Sequence, residues 1–195
     1  MIRNQSTVTC ELIVSKDTVL RLLERADASL LFALALKNLE YLAPWLPWAC
    51  KTLSLQDIEK RIDKFLMQTK NGEAAQFGIW HQKKLLGGVA FFNHDLENHI
   101  AEIGFWITSE MTGQGIATYC CRTLLRYLFE KLELNRIEMR CAPANSRSHA
   151  MARRLNFSRE GVLRECLLIG GKYDNLTLYS LLRKEWLDGT ARDKN

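Results

Sequence analysis

The chain has 195 residues, 47% of them hydrophobic and 25% charged, with 3 prolines and 11 glycines. That balance fits a globular chain with one full core and excludes collagenous, low-complexity and disordered readings. The formal net charge is +5, and the stretch from Arg136 to Arg164 holds seven arginines against two acids, so it carries the whole surplus. Forked guanidinium groups suit phosphate, but no zinc-finger, RRM or KH pattern accompanies them, so no nucleic-acid partner is expected. The longest apolar run, Leu30–Leu36, is seven residues, far below the roughly 18 needed to span a bilayer. The opening residues Met1–Ser6 lack the apolar segment of a secretory signal, so the expectation is a cytoplasmic protein with no membrane partner.

In chain order, Thr7–Val14 reads as a first strand, and a helical pattern follows, marked by Leu30, Leu31, Leu34 and Leu36 and running to about Leu42. It breaks at Ala43-Pro44-Trp45-Leu46-Pro47-Trp48, because prolines cannot sit inside a helix. Ser54, with Asp57 behind it, reads as the N-cap of a second helix with Ile58, Ile62, Phe65 and Leu66 on one face, closed by Asn71-Gly72. Phe77–Trp80 and Leu85–Phe92 flank a polar turn and predict a hairpin. In the strand Ile100–Ile107, Ile103, Phe105 and Ile107 share one face and Glu102, Gly104 and Trp106 the other. Helical spacing returns through Ala117, Cys121, Leu124, Leu125, Leu128 and Leu132. A strand ending at Pro143, a short helix over His149–Leu155, and a final hairpin of Gly161–Ile169 and Asp174–Leu182 complete the pattern. Residues 1–188 read as one domain and 189–195 as a frayed tail.

Six cysteines (Cys10, Cys50, Cys120, Cys121, Cys141, Cys166) and four histidines occur without Cys-x2-Cys or paired-His spacing, so neither a disulfide framework nor a metal site is expected. The cysteines read as reduced thiols, with an activated Cys120-Cys121 pair as the lesser alternative.

The informative element is Met111-Thr112-Gly113-Gln114-Gly115-Ile116-Ala117, between a strand and a helix. Two glycines let the backbone turn tightly and approach a ligand, and the helix behind them points free N–H groups and a positive dipole end at the same place. Such a site takes phosphate without a lysine. It is neither the dinucleotide fingerprint nor a Walker loop, since the third glycine and the Gly-Lys-Ser/Thr are absent.

Five motifs occur in one order. These are Tyr41-Leu42-x-Pro44-Trp45-Leu46-Pro47-Trp48, Ala101–Ile107, Gly113–Thr118, Asn145-x-x-Ser148, and Glu160-Gly161 followed by Gly171-x-Tyr173-Asp174. Together they resemble the GNAT superfamily of acetyl-CoA-dependent N-acetyltransferases, on the ribosomal-protein N-terminal (RimJ/RimL) branch, over almost the whole chain. The resemblance implies an α/β fold with a mixed, mostly antiparallel sheet, splayed between its fourth and fifth strands. It implies acetyl-CoA as co-substrate and no metal. The pyrophosphate would rest on the loop Thr112, Gly113, Gln114, Gly115, Ile116, Ala117, Thr118, and the pantetheine would pair with the backbone of Trp106, Ile107 and Thr108. Asn145 would bond the cofactor where it leaves the splay. Ser148 is the expected proton donor to the leaving thiolate or, alternatively, the N-cap of the short helix at His149. Glu102 is the expected base or, alternatively, a surface or ion-paired carboxylate.

Trp45 and Trp48 are read as a wall of the acceptor groove or, alternatively, as core. The family loop opens with Gln or Arg where this chain has Thr112. Where a related ribosomal-protein enzyme would place a glutamate base, this chain has Leu167, with Glu165 nearby. The acceptor implied is the α-amine of a protein N-terminus. An α-amine titrates at about 7.7–8.0 against about 10.4 for lysine, so it tolerates a weaker base. A small amine such as a polyamine, amino sugar or antibiotic, or a non-catalytic CoA-binding role, are the alternatives. A homodimer is compatible with the resemblance, although no symmetric patch is legible.

Overall fold

The alternation Thr18, Leu20, Leu22 makes the residues after Asp17 a strand. Thr18 and Leu20 turn inward and are buried, so an edge hairpin of Glu11–Ser15 (β1) and Thr18–Leu22 (β2) stands where one strand is expected. The computed structural model describes residues 8–51 and 54–192, so Thr7 lies outside it.

The helical segment is divided into Ala28–Lys37 (α1), Leu39–Leu42 (α2), Pro47–Lys51 (α3) and Leu55–Lys70 (α4). Asn38, at φ −108° and ψ 15°, steps the chain from α1 to α2. Pro47 does not end a helix but opens α3, at a first position where no N–H is needed. Ser54 caps α4 as its spacing requires, accepting the Asp57 N–H at 3.3 Å.

The remaining elements are Ala75–His81 (β3), Lys84–Asp95 (β4), Ile100–Ile107 (β5), Ile116–Glu130 (α5), Arg136–Cys141 (β6), Ser146–Arg154 (α6), Ser158–Ile169 (β7), Lys172–Leu182 (β8) and Arg183–Arg192 (α7). The β3–β4 turn is made by Gln82 and Lys83, both left-handed at φ 48° and 66°, the geometry that matches strand twist even without glycine. Helix α7 continues past Gly189, where a frayed tail is expected. Its Trp186 stacks on Phe129 of α5 with ring centroids 5.8 Å apart, which anchors the segment.

The strands form one sheet in the order β1-β2-β3-β4-β5-β6-β8-β7. Every pairing is antiparallel except β5 with β6, which is parallel and registers only Ile100–Glu102 against Arg136–Glu138. Both strands run on, to Ile107 and Cys141, without pairing to each other, each keeping its antiparallel neighbour on the other side. This divergence is the expected splay; with β2 counted, it lies between the fifth and sixth strands. One sheet face packs Phe77, Ile79, Phe91 and Ile103 against Leu124, Leu125 and Leu128 of α5. The other packs Leu85 and Trp106 against Leu31 of α1 and Ile58 and Ile62 of α4. Each such buried side chain stabilises the fold by about 1.5–3 kcal/mol.

Cys120 and Cys121 belong to the α5 core. Burial pushes the Cys120 thiol up to about 12 and that of Cys121 higher still, which rules out an activated pair.

Candidate active site

The sheet face toward α4 is lined with small residues. Register places Gln76, Ala90 and Gly104 in one row across β3, β4 and β5, and Gly78, Gly88 and Trp106 in the next. A Cβ at Gly88 would lie 3.1 Å from the Trp106 Nε1, and one at Gly104 would lie 3.2 Å from the Phe92 ring. The missing side chains leave a cavity of about 670 Å³ along the splay. Its roof is the Tyr41–Trp48 segment with Arg61 and Phe65 of α4, and its far wall is the start of α6 with Leu167 of β7.

This cavity brings together Trp45, Trp48, Glu102, Trp106, Ile107, Asn145 and Ser148, which lie far apart in sequence. Thr108 and the Thr112–Thr118 loop do not line it. They follow directly from the end of β5, so they sit beyond the Ile107 end of the splay.

Glu102 is the last β5 residue paired with β6, and its side chain is 14% exposed. Burial raises its pKa above the ordinary carboxylate range. Arg140, whose Nε lies 3.4 Å away, and an Asn93 amide N–H donated over 3.4 Å pull it back, and neighbouring Glu138 pushes it up again. The outcome is a carboxylate with raised affinity for a proton, opening on a cavity.

The ladder fixes which peptide groups face the splay. Thr108 donates its N–H to Leu86 O at 2.8 Å, so by the two-residue alternation of a strand Trp106 also faces β4. The peptide groups of Phe105 and Ile107 therefore face β6, which has diverged by that point. Of the three positions whose backbone is expected to pair with pantetheine, the ladder turns Ile107, rather than Trp106 or Thr108, into the gap. Gly87 permits this close pairing, since a Cβ there would fall 2.2 Å from Trp106 O.

Past β5 the chain enters the glycine loop. Gly113 and Gly115 are both left-handed, at φ 80° and 79°, and a Cβ at Gly113 would meet nothing within 4 Å. Gly115 is the N-cap of α5 and has no side chain to accept the first-turn N–H groups. Thr112 turns its hydroxyl back onto Ser109 O at 2.8 Å. The loop is fastened to the α1–α2 junction by the buried Asn38, whose Oδ1 accepts the Ser109 N–H at 3.0 Å. An ion pair between Lys37 and Glu110 at 2.8 Å lies beside it.

Helix α6 starts three residues before its expected beginning. Its cap is Asn145, whose Oδ1 accepts the Ser148 N–H at 3.1 Å. Ser148 is thus released from capping, and its hydroxyl has no protein partner among the described residues.

Leu167 lines the cavity, whereas Glu165 is exposed, left-handed at φ 48° and displaced by an irregularity in the β7–β8 register. Glu165 therefore does not replace a base at that position. Sequence reasoning missed Arg61, Gln76, Arg140 and Asn38. Only Arg61 leaves a sequence signal, its four-residue spacing from Phe65, which places the pair on one side of α4.

Comparison with known proteins bears on this geometry. The acetyltransferase (GNAT) domain matches residues 17–158. YdaF of Bacillus subtilis (strain 168), whose name assigns it provisionally as a ribosomal N-acetyltransferase, is 37% identical over 91% of this chain and 97% of its own length. The ribosomal-protein-serine acetyltransferase of Escherichia coli (strain K12) is 30% identical over 77% of this chain and 84% of its own. Among solved structures, RimL, a ribosomal L7/L12 α-N-protein acetyltransferase in complex with coenzyme A, superposes with a TM-score of 0.86 at 25% identity, covering 90% of this chain and 99% of that one. The domain match and the relatives, taken with the splayed sheet and the strand-loop-helix described above, show that the chain belongs to the GNAT acetyltransferase family.

Proposed function

We propose that this acetyltransferase uses acetyl-CoA to acetylate the α-amine of a polypeptide N-terminus, with ribosomal proteins as the favoured acceptor class and the cytoplasm as its place of action. The observation that carries the reading is that Glu102 and the unpaired β5 edge open onto one cavity while the glycine loop continues from the same strand. The residues present suit the cofactor. The free edge at Phe105 and Ile107 offers peptide groups to the amides of pantetheine, and the left-handed loop with the uncapped α5 offers N–H groups to pyrophosphate. Bound there, acetyl-CoA supplies the acetyl thioester.

In this reading Glu102 takes a proton from the acceptor's ammonium group, directly or through water, which frees the neutral amine to attack the thioester carbonyl, and its raised pKa suits that task. The Ile107 N–H steadies the carbonyl oxygen as charge builds on it. Ser148 gives a proton to the departing sulfur, and Asn145 orients Ser148 through the cap of α6. Trp45 and Trp48 form the acceptor wall, where rigid aromatics hold a chain at low entropic cost.

The test has two arms. A thermal melt with acetyl-CoA at about 100 times its dissociation constant should gain about 2.7 kcal/mol, and nucleotides lacking the pantetheine arm should give less. A panel of N-terminal peptides set against polyamines and amino sugars should then show turnover on the peptides. Turnover confined to small amines would replace the acceptor, and no shift with acetyl-CoA would remove the cofactor site.

A further inference from the structure

The acceptor end of the cavity holds three polar atoms that the protein leaves unsatisfied. These are the Arg61 Nε, the Gln76 Oε1 and the Trp106 Nε1, all buried and without a hydrogen-bond partner. Gln76 and Trp106 are only 4% and 7% exposed, and all three side chains line the same space. Buried polar atoms in native proteins are nearly always paired, so three orphans in one cavity mark groups whose partner arrives with a ligand. Their chemistry specifies it: two donors, one of them charged, and one acceptor.

Arg61 defines the charged part. Its guanidinium lies 4.8 Å above the Trp48 ring and 5.1 Å above that of Phe65, and no carboxylate reaches it within ion-pair distance among the described residues. Burial without an acid lowers its pKa to about 10. Of the other cations on the cavity wall, Arg140 is taken by Glu102 and Glu138, Arg147 lies over Tyr41 at 5.2 Å, and Lys64 follows Arg61 by three residues on α4, adding positive charge beside it. Aromatic faces recover part of a cation's hydration, but a guanidinium held over two rings without an acid partner among the described residues is also placed for a forked contact with a carboxylate. Trp48 in turn packs on Trp106 with ring centroids 5.8 Å apart, so Arg61 stands two ring contacts from the strand at the transfer point. That separation corresponds to a few residues of an extended acceptor.

We propose that Arg61 selects acceptor polypeptides bearing an acidic side chain at the second or third residue, while the Trp106 indole N–H and the Gln76 carboxamide oxygen bind the acceptor's own backbone. This specificity rests on the N-terminal reading above.

The experiment compares kcat/KM for C-terminally amidated peptides that start with alanine and carry Asp, Asn or Lys at the second or third position, with free aspartate as a further arm. The Asp peptides should exceed their Asn counterparts by about ten- to a hundredfold, and the Lys peptides should be poorest. Arg61→Gln should bring the Asp and Asn values together, and Arg61→Glu should reverse the order of Asp and Lys. Acetyl-CoA affinity, measured by calorimetry, should be unchanged in both. Because the peptide ranking is measured on the unaltered enzyme, a variant that fails to fold leaves the test intact. Equal rates for Asp and Asn peptides would overturn the acidic preference while leaving N-terminal acetylation in place. Faster turnover of free aspartate than of the amidated peptides would overturn the polypeptide, and no turnover of any peptide would overturn both readings.

Discussion

The two ends of the splay are built from different materials. The end proposed for the acetyl donor consists of backbone: the free edge at Phe105 and Ile107, two left-handed glycines, and the uncapped start of α5. The end proposed for the acceptor consists of side chains gathered from four elements: Trp48 from α3, Arg61 and Phe65 from α4, Gln76 from β3 and Trp106 from β5. A backbone site tolerates exchange of side chains so long as φ and ψ survive, whereas a side-chain site changes specificity with single substitutions. One fold can therefore keep its donor fixed while its acceptor varies.

The sharpest way to break this division is to remove the groups at the seam. Glu102→Gln and Ser148→Ala should each lower kcat by about 10²–10⁴, the usual contribution of a positioned proton-transfer group. Neither should reduce Tm: the Glu102 carboxylate is destabilised in its charged form, and the Ser148 hydroxyl caps nothing. A Tm loss matching the rate loss would make them structural groups. In Glu102→Gln, the rate limb set by the carboxylate should vanish from the pH profile. That limb rises with pH through a value above the ordinary carboxylate range.

At the donor end, Gly115→Val forces a β-branched residue to φ near +79°, a strain of about 1–3 kcal/mol. Acetyl-CoA affinity should fall by about five- to a hundredfold by calorimetry, with the ranking of acceptor peptides unchanged. A changed ranking would mean that the two ends are not separable.

Asn145→Ala removes a helix cap worth about 1 kcal/mol. In a chain of this size that should lower Tm by about 2–4 °C, with a smaller effect on rate than Ser148→Ala.

Acid separates the paired part of the splay from the open part. Arg136 holds Glu160 in a two-pronged contact, and the Ser180 hydroxyl donates to the same carboxylate at 2.6 Å, bringing its pKa down to about 2. A depressed carboxylate stabilises the fold fully above its ordinary pKa near 4.5, and that stabilisation is lost as pH falls toward 2. Ser180→Ala weakens this hold, so its acid-unfolding midpoint should move to higher pH. The smallest effect belongs to Thr112→Gln. It restores the residue type with which the family loop opens, and acetyl-CoA binding should change by less than about 0.5 kcal/mol, because the loop's donors are backbone N–H groups.

The same division governs what the sequence discloses. The donor end is legible because glycine spacing is a local statement about φ: Gly113, Gly115 and the helix behind them can be read in seven consecutive residues. The acceptor end is legible only at Trp45 and Trp48, where prolines stiffen the segment. Arg61 and Gln76 acquire meaning when α4 is laid across β3; the spacing of Arg61 from Phe65 places it on one side of α4, but nothing in the local pattern of either residue brings the two together. Asn145 and Ser148 are both natural helix caps, so their order is decided by the turn itself. β2 escapes the pattern because a five-residue strand entered through Lys16-Asp17 has no glycine to announce its turn, and α7 because its anchor, Trp186 on Phe129, is a tertiary contact.

The central claim is that one cavity joins a backbone-built acetyl-CoA site to an α-amine acceptor. The most direct measurement incubates the enzyme and acetyl-CoA with a peptide carrying both a free α-amine and internal lysines, then locates the acetyl group by fragment mass spectrometry, with Glu102→Gln in parallel. The account predicts a single acetyl group on the N-terminal residue, formed at least about a hundredfold more slowly by the variant. Acetyl groups on the lysines, or an unchanged rate in the variant, would contradict it.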